Sequence, residues 1–271
     1  MIGFANAKIN IGLHILRRLE NGYHEIETVF YPLYGLQDVV EIVRSESLDI
    51  VNTGLQVDVK IEDNLVIKAY NLLQKDFNLP KVMFYLHKNI PLGAGLGGGS
   101  ANAVTVLQLL NKEFDLNLPL HLLQLYAKRL GADCSFFLYN NPMIARGLGE
   151  KLSEIKLDLE GYNIVVVKPD FSINTAKAYS LSIPKEKNVS LEELVCLPVE
   201  KWKQHIINDF EQVLFPLYPE LKDIKKVLYD LGALYVSLSG SGSAIYGIFD
   251  RAINLEKLSA KYSFVWQSKV S

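Results

Sequence analysis

Cysteine is nearly absent: two thiols, Cys134 and Cys196, stand among 271 residues. That excludes a disulfide framework and any thiolate zinc spacing, and makes a reducing cytoplasm the expected setting. The five histidines (His14, His24, His87, His121, His205) are scattered with no pair at ligand spacing, so a protein-built metal centre is not expected. Excess charge is lacking too. With 28 basic and 30 acidic side chains and a formal net charge of −2, nothing electrostatic favours nucleic acid or a membrane surface. No apolar run approaches the roughly 20 residues a bilayer demands. The opening Met1-Ile2-Gly3-Phe4-Ala5 has no basic stretch followed by an apolar one, so no secretory leader is expected. Internal repeats, low-complexity tracts and long linkers are missing as well. What is plentiful is apolar side chain. At 49% hydrophobic residues, the chain can fill one large domain or two tightly joined lobes.

Glycine is concentrated in one place. The run Pro91-Leu92-Gly93-Ala94-Gly95-Leu96-Gly97-Gly98-Gly99-Ser100-Ala101-Asn102 holds five of the eighteen glycines. Val82 to Leu86 before it reads as a strand, and Ala101 to Leu110 after it as a helix. Such a loop gathers bare N–H groups at the positive end of a helix, which attracts a phosphate. Side chains would block the close approach and disfavour positive φ. By letter, Gly93-x-Gly95-x-x-Gly98 also spells a dinucleotide pattern, and Asp115 lies near the offset of a ribose-binding acid. That acid should end a second parallel strand, whereas residues 114–119 look like a loop between helices. A Walker-type loop needs lysine before serine, and here Gly99 precedes Ser100. A loop lying over phosphates, with Ser100 and backbone amides as donors, fits better than a ligand-free turn. Five glycines in a mere turn would cost on the order of 0.5–1 kcal/mol each.

The first part of the chain reads mainly as strands: Phe4 to Leu16, then a turn at Asn21-Gly22, then Glu25 to Leu33, Val39 to Val43 and Leu48 to Val51. Asp63-Asn64 offers an N-cap to a helix from Leu65 to Leu73. A helix over Leu118 to Leu130 ends at Gly131, where a cap belongs. The second part opens with a strand, Asn163 to Val167. Helices follow over Thr175–Leu181, Leu191–Val195, Asp209–Leu217 and Leu221–Leu231, with strands over Leu234–Leu238 and Ala244–Phe249. Strands and helices mix without regular alternation, so the expected fold class is α+β. A boundary is expected in the polar stretch from Leu152 to Gly161, separating an N-terminal lobe, residues 1–152, from a C-terminal lobe, 153–271.

Three stretches together carry a family resemblance. The glycine run resembles the central motif of the GHMP small-molecule kinases. Ala7-Lys8-Ile9-Asn10-Ile11-Gly12-Leu13 and Val236-Ser237-Leu238-Ser239-Gly240-Ser241-Gly242-Ser243-Ala244 fall where that family has its other two motifs. Four more segments narrow the resemblance to members that act on a cytidylated methylerythritol in isoprenoid synthesis by the non-mevalonate route. They are Asn21-Gly22-Tyr23-His24-Glu25, Glu62-Asp63-Asn64-Leu65, Gly131-Ala132-Asp133-Cys134-Ser135-Phe136-Phe137 and Asn208-Asp209-Phe210-Glu211. Two positions depart from that pattern: Ala101 stands where a second serine is usual, and Ser135 where proline or alanine is common.

The resemblance implies an ATP-dependent kinase that phosphorylates the 2-hydroxyl, with Mg²⁺, on a fold of two α+β lobes with the active site in the cleft between them. The N-terminal lobe would bind ATP and the C-terminal lobe the small-molecule substrate. It implies that the loop amides over Pro91, Leu92, Gly93, Ala94, Gly95, Leu96, Gly97, Gly98, Gly99, Ser100 and Ala101 hold the triphosphate, and that Asn64, Leu65 and Lys88 meet the adenosine. Read alone, Asp133 is an aspartate capping the next helix; the resemblance reverses that and makes it the catalytic base. Lys8 is the cation expected beside it, because an unpaired ammonium within an apolar strand is penalised. The alternative is a lysine on the solvated face of that strand. Asn10 shares the strand face of Lys8, since side chains alternate with period two, and could bind the substrate diol. Tyr23 and His24 follow a tight turn and, with Tyr179, are assigned by resemblance to the cytosine, the rings by stacking and the imidazole by a base edge. The third motif reads either as shaping the substrate side or as a plain hairpin turn.

Overall fold

The computed structural model describes residues 1–57 and 59–270. β1 runs over Ile2–Arg18. Every residue from Ala5 to Ile15 is buried, so the strand is covered on both faces rather than on the one that carries Ile9, Ile11, Leu13 and Ile15. A three-residue loop, Glu20-Asn21-Gly22, closed by the Leu19 N–H on the Tyr23 carbonyl at 2.8 Å, leads into β2, His24–Arg44. The two short strands expected over 25–33 and 39–43 are one continuous strand, because residues 34–38 keep extended backbone.

The chain forms two compact units. The first takes Met1–Lys8, Pro32–Leu92 and Gly97–Asn141; the second takes Ile9–Tyr31, Gly93–Leu96 and Pro142–Ser271. Hydrogen bonding sets this interleaving: β5, Met143–Gly147, pairs with Ile26–Phe30 of β2, and β6, Lys151–Glu154, pairs with β5. Composition carries no trace of that register.

In the first unit, β3 (Asp49–Gly54) lies parallel to β4 (Val82–Lys88), and β4 lies antiparallel to Val39–Arg44 of β2. Four helices belong to this unit: α1 (Leu65–Phe77), α2 (Gly98–Glu113), α3 (Leu120–Leu130) and α4 (Cys134–Tyr139). Asn64 caps α1, its side chain accepting from the Val66 N–H, and Val66, Ile67, Ala69, Tyr70 and Leu73 are buried. Tyr70 meets Phe84 of β4 edge-on, with centroids 6.1 Å apart. Leu130 ends α3 as expected, but Gly131 closes it in extended backbone (φ 170°) rather than the left-handed conformation. α4 follows Asp133, where the capping alternative puts a helix, though six residues are too few to show a period.

The second unit holds a four-stranded antiparallel sheet in the order β10-β7-β9-β8, with β7 Asn163–Lys168, β8 Tyr235–Leu238, β9 Ile245–Phe249 and β10 Phe264–Lys269. Its helices are α5 (Thr175–Leu181), α6 (Leu191–Leu194), α7 (Val199–His205), α8 (Phe210–Leu217), α9 (Pro219–Asp230) and α10 (Glu256–Ser259). Leu13 and Ile15 of β1 share a core with Val165, Val167, Phe210, Leu214, Leu221, Leu228, Val236 and Leu238. Among the described residues, no helix is long and apolar enough to cross a membrane.

One buried ion pair sits where β4 gives way to the glycine run. Asp38, on β2, is fully enclosed and its carboxylate accepts from the Lys88 ammonium and from the N–H groups of Asn89 and Ile90, each 2.8 Å away. Burial lowers the Lys88 pKa, and the Asp38 charge acts in the opposite direction. Removing one partner of such a pair leaves an uncompensated charge, so Asp38→Ala should destabilise the protein by about 3–5 kcal/mol. Urea unfolding measures it; a loss no larger than a surface substitution would show that the pair does not hold this corner.

Candidate functional site

Lys8 lies near the middle of the buried stretch of β1 and its side chain is only 3% exposed. An ammonium so enclosed requires a carboxylate or equivalent acceptors. It has one: its Nζ stands 3.3 Å from Oδ2 of Asp133, which is 35% exposed. The pair is asymmetric, with the cation inside and the anion half open to solvent. Asp133 occupies the N-cap position of α4, yet its side chain makes no capping hydrogen bond. The capping alternative for this aspartate is therefore not what its carboxylate does, and the solvated-face alternative for Lys8 is excluded by its burial.

The glycine run packs directly on this pair. Gly97, with φ +72°, is the N-cap of α2. A Cβ there would stand 2.8 Å from the ring of Phe137 and 3.1 Å from Cγ of Lys8. Only a residue without a side chain lets the start of α2 lie against the stem of Lys8. Gly98 is equally crowded: a Cβ would meet Ile90 at 2.9 Å and the Lys88 Nζ at 3.3 Å. A Cβ at Gly99 would stand 3.4 Å from Cδ1 of Leu65. So Lys88 and Leu65 do come to the first turn of α2, and Asn64 sits beside them as the α1 cap. Ser100 is half-buried and Ala101 buried in the same turn. The Cys134 thiol is pushed up to about 12 by burial and by the charge of Asp133, against a hydrogen bond with Ser100. It stays protonated, a packing group rather than a nucleophile.

Gly93, Ala94, Gly95 and Leu96 belong to the second unit, where the third motif holds them. That motif is the connection between β8 and β9, so it is a hairpin turn, and it also binds the loop. The N–H of Ser243 reaches the carbonyl of Gly93 at 3.3 Å, and that of Ala244 the carbonyl of Ala94 at 3.0 Å. The Ser239 hydroxyl donates to the carbonyl of Gly95 at 2.9 Å. Gly95 (φ +76°) packs so tightly on the Ser239 carbonyl that no Cβ fits. With these carbonyls engaged by the hairpin, the loop's acceptors are turned away from whatever its amides face.

Asn10 is 2% exposed. Its amide donates to the Thr28 hydroxyl at 3.0 Å, and that hydroxyl donates to the Gly12 carbonyl at 2.6 Å. The Asn10 carbonyl accepts from the buried Tyr246 hydroxyl at 2.8 Å. Tyr23 projects from the turn, 62% exposed, its N–H bound to Oδ1 of Asn21. His24 stacks on Tyr179, with centroids 5.2 Å apart and planes 21° off parallel, while Tyr179 meets Phe210 edge-on at 4.9 Å. Partial burial and the nearby Arg18 charge lower the His24 pKa, favouring a neutral imidazole near pH 7.

Sequence reasoning missed Asp38, Thr28 and Ser239. An acid at the head of an apolar strand (Val39-Val40) and a lysine closing another were the available signal for Asp38; nothing in their spacing paired them. Among the described residues no group of three or more His, Cys, Asp or Glu side chains could hold a metal ion.

Residues 64–141 match the GHMP kinases N terminal domain, and residues 199–267 match the GHMP kinases C terminal. The chain is 45% identical over 274 residues to the 4-diphosphocytidyl-2-C-methyl-D-erythritol kinase of Bacteroides fragilis, covering 100% of both. It is 47% identical over 252 residues to the enzyme of the same name from Azobacteroides pseudotrichonymphae, covering 93% of this chain and 94% of that one. A solved structure of a 4-(cytidine 5'-diphospho)-2C-methyl-D-erythritol kinase superposes with a TM-score of 0.83 at 31% identity, covering 98% of each chain. With both family domains and full-length relatives in agreement, the chain belongs to the GHMP kinase family.

Proposed function

We propose that this protein transfers the γ-phosphoryl group of ATP to the 2-hydroxyl of 4-diphosphocytidyl-2-C-methyl-D-erythritol. The observation that carries the reading is the Lys8–Asp133 ion pair at 3.3 Å, with the Gly97 start of α2 packed on the lysine stem. Phosphoryl transfer asks a protein mainly for positioning and charge stabilisation. The residues present supply both.

The loop amides and the N-terminus of α2 hold the triphosphate, a fit supported by the positive-φ glycines at 93, 95 and 97. Asn64, Leu65 and Lys88 border the adenosine, with Lys88 held by Asp38. The half-buried Ser100 would offer a hard oxygen to Mg²⁺ beside the nucleotide phosphates, whose charge the ion would neutralise. Asp133 orients the acceptor hydroxyl and takes its proton. The Lys8 ammonium, 3.3 Å from that carboxylate, fixes its position and polarises the alcohol. In the second unit, Asn10 serves the diol end. Tyr23, His24 and Tyr179 serve the cytosine: a base that takes the face of Tyr179 displaces His24 from it and frees the imidazole for a base edge. Operation in the cytoplasm accords with an ATP-dependent reaction and with free thiols at Cys134 and Cys196.

The direct test is ADP release with the cytidylated methylerythritol, measured beside homoserine and mevalonate. Turnover on the first alone supports the reading; preference for either of the others refutes it. Asp133→Ala should lower kcat by about 10²–10⁴-fold, the range of a lost general base, while ATP still binds. Near-normal turnover would remove Asp133 from the chemistry. Tyr23→Ala should raise KM for the cytidylated substrate far more than KM for ATP; equal effects would count against a cytosine contact.

A further inference from the structure

The segment Asn208-Asp209-Phe210-Glu211 precedes and opens α8, and none of its side chains is required by the chemistry above. All of them are nonetheless engaged. Asn208 is 2% exposed. Its amide nitrogen donates to the carbonyls of Leu238 (2.9 Å) and Gly240 (2.8 Å), and its oxygen accepts from the Phe210 N–H at 3.0 Å. Both donors and the acceptor are thus in use. The carbonyls it holds flank Ser239 on either side. Glu211 reaches the same place from the next turn, accepting from the Leu238 N–H at 2.9 Å and from the Ser237 hydroxyl at 3.3 Å, with the Lys225 ammonium 2.6 Å from its other oxygen. Asp209 ties the segment to β1, accepting from the Ile15 N–H at 2.9 Å and from the Lys187 ammonium at 2.7 Å.

Ser239 is the residue that passes this order on. It is fully buried, donates to the Gly95 carbonyl and accepts from the Asn10 N–H at 3.3 Å. The same hairpin binds the carbonyls of Gly93 and Ala94. We infer that Asn208 and Glu211 are positioning residues for phosphate binding: they fix the hairpin at Leu238–Gly240, and the hairpin sets the orientation of the glycine-loop peptides over Gly93–Gly95. Neither touches a nucleotide. They act by holding peptide planes whose carbonyls face the hairpin, so that the opposite edges of those peptides face the anion. This rests on the glycine loop being the phosphate holder.

The clamp is tested by calorimetric titration with ADP and, separately, with CDP, on the wild type and on Asn208→Asp. The substitution keeps size and the acceptor but turns two donors into an oxygen facing two carbonyls. Kd for ADP should rise by about tenfold, the loss of one hydrogen bond to a charged group, with Kd for CDP unchanged. Leu228→Ala, a cavity in the core of the same unit, gives the purely structural comparison: it should lower the unfolding temperature and leave both Kd values alone. Should Asn208→Asp fail to fold, Ser239→Ala removes only the link to Gly95 and Asn10 and should weaken ADP selectively as well. ADP affinity unchanged in both variants, or ADP and CDP weakened together, overturns the clamp. Gly97→Ala separates the two readings: if it leaves ADP binding intact, the loop does not hold the phosphates and the premise itself fails. If it abolishes ADP binding while Asn208→Asp does not affect it, only the clamp is wrong.

Discussion

A buried ammonium is the constraint around which the first unit is arranged. Lys8 cannot sit 3% exposed in the middle of β1 without an anion within reach, and Asp133 supplies it. The consequences run outward from that pairing. Asp133 opens α4 without capping it, so the helix is left uncapped by its own N-cap side chain while the carboxylate points to the lysine. Phe137 of α4 and the stem of Lys8 leave no room for a Cβ at position 97, so the residue that starts α2 is glycine in a left-handed conformation. A cation, an anion and a helix N-terminus are brought together by packing that each of them would be penalised for alone.

The glycine run is held at both of its ends by different means. From Gly97 onward it is held by close contact, with missing side chains at 97 and 98 making way for Lys8, Phe137 and Ile90. From Gly93 to Gly95 it is held by hydrogen bonds, three consecutive carbonyls being engaged by the β8–β9 hairpin. Below it, Asp38 gathers Lys88 and the amides of residues 89 and 90 just before the loop begins. A segment so rich in glycine is costly to order, and these restraints are what hold it in a single conformation.

Much of this was legible in the sequence, and the limits have physical causes. The three motifs named the family, the strand–loop–helix unit around Gly93–Gly99 fell where expected, and Lys8 and Asp133 are indeed neighbours. The expected helices match α5 at both ends, α1 at its start and α3 at its end; α1 runs on to Phe77, past the expected Leu73, and α3 starts at Leu120 rather than Leu118. What escaped was non-local. The interleaving of the two units follows from β5 choosing β2 as its partner, a register with no local signature. Asp38 and Lys88 are fifty residues apart and meet only through the antiparallel pairing of β2 with β4. The small-residue turn at 239–243 could be read two ways because serine and glycine alone do not say whose carbonyls a hydroxyl will find.

The central claim is that Lys8 and Asp133 act as one unit on the acceptor hydroxyl. A double-mutant cycle on kcat, with Lys8→Met, Asp133→Asn and the pair together, tests it most directly. Residues that work as a unit are strongly non-additive, so the double variant should be about as slow as the worse single one. If the two losses simply multiply, the ion pair is a neighbourly contact and the account of the site is wrong.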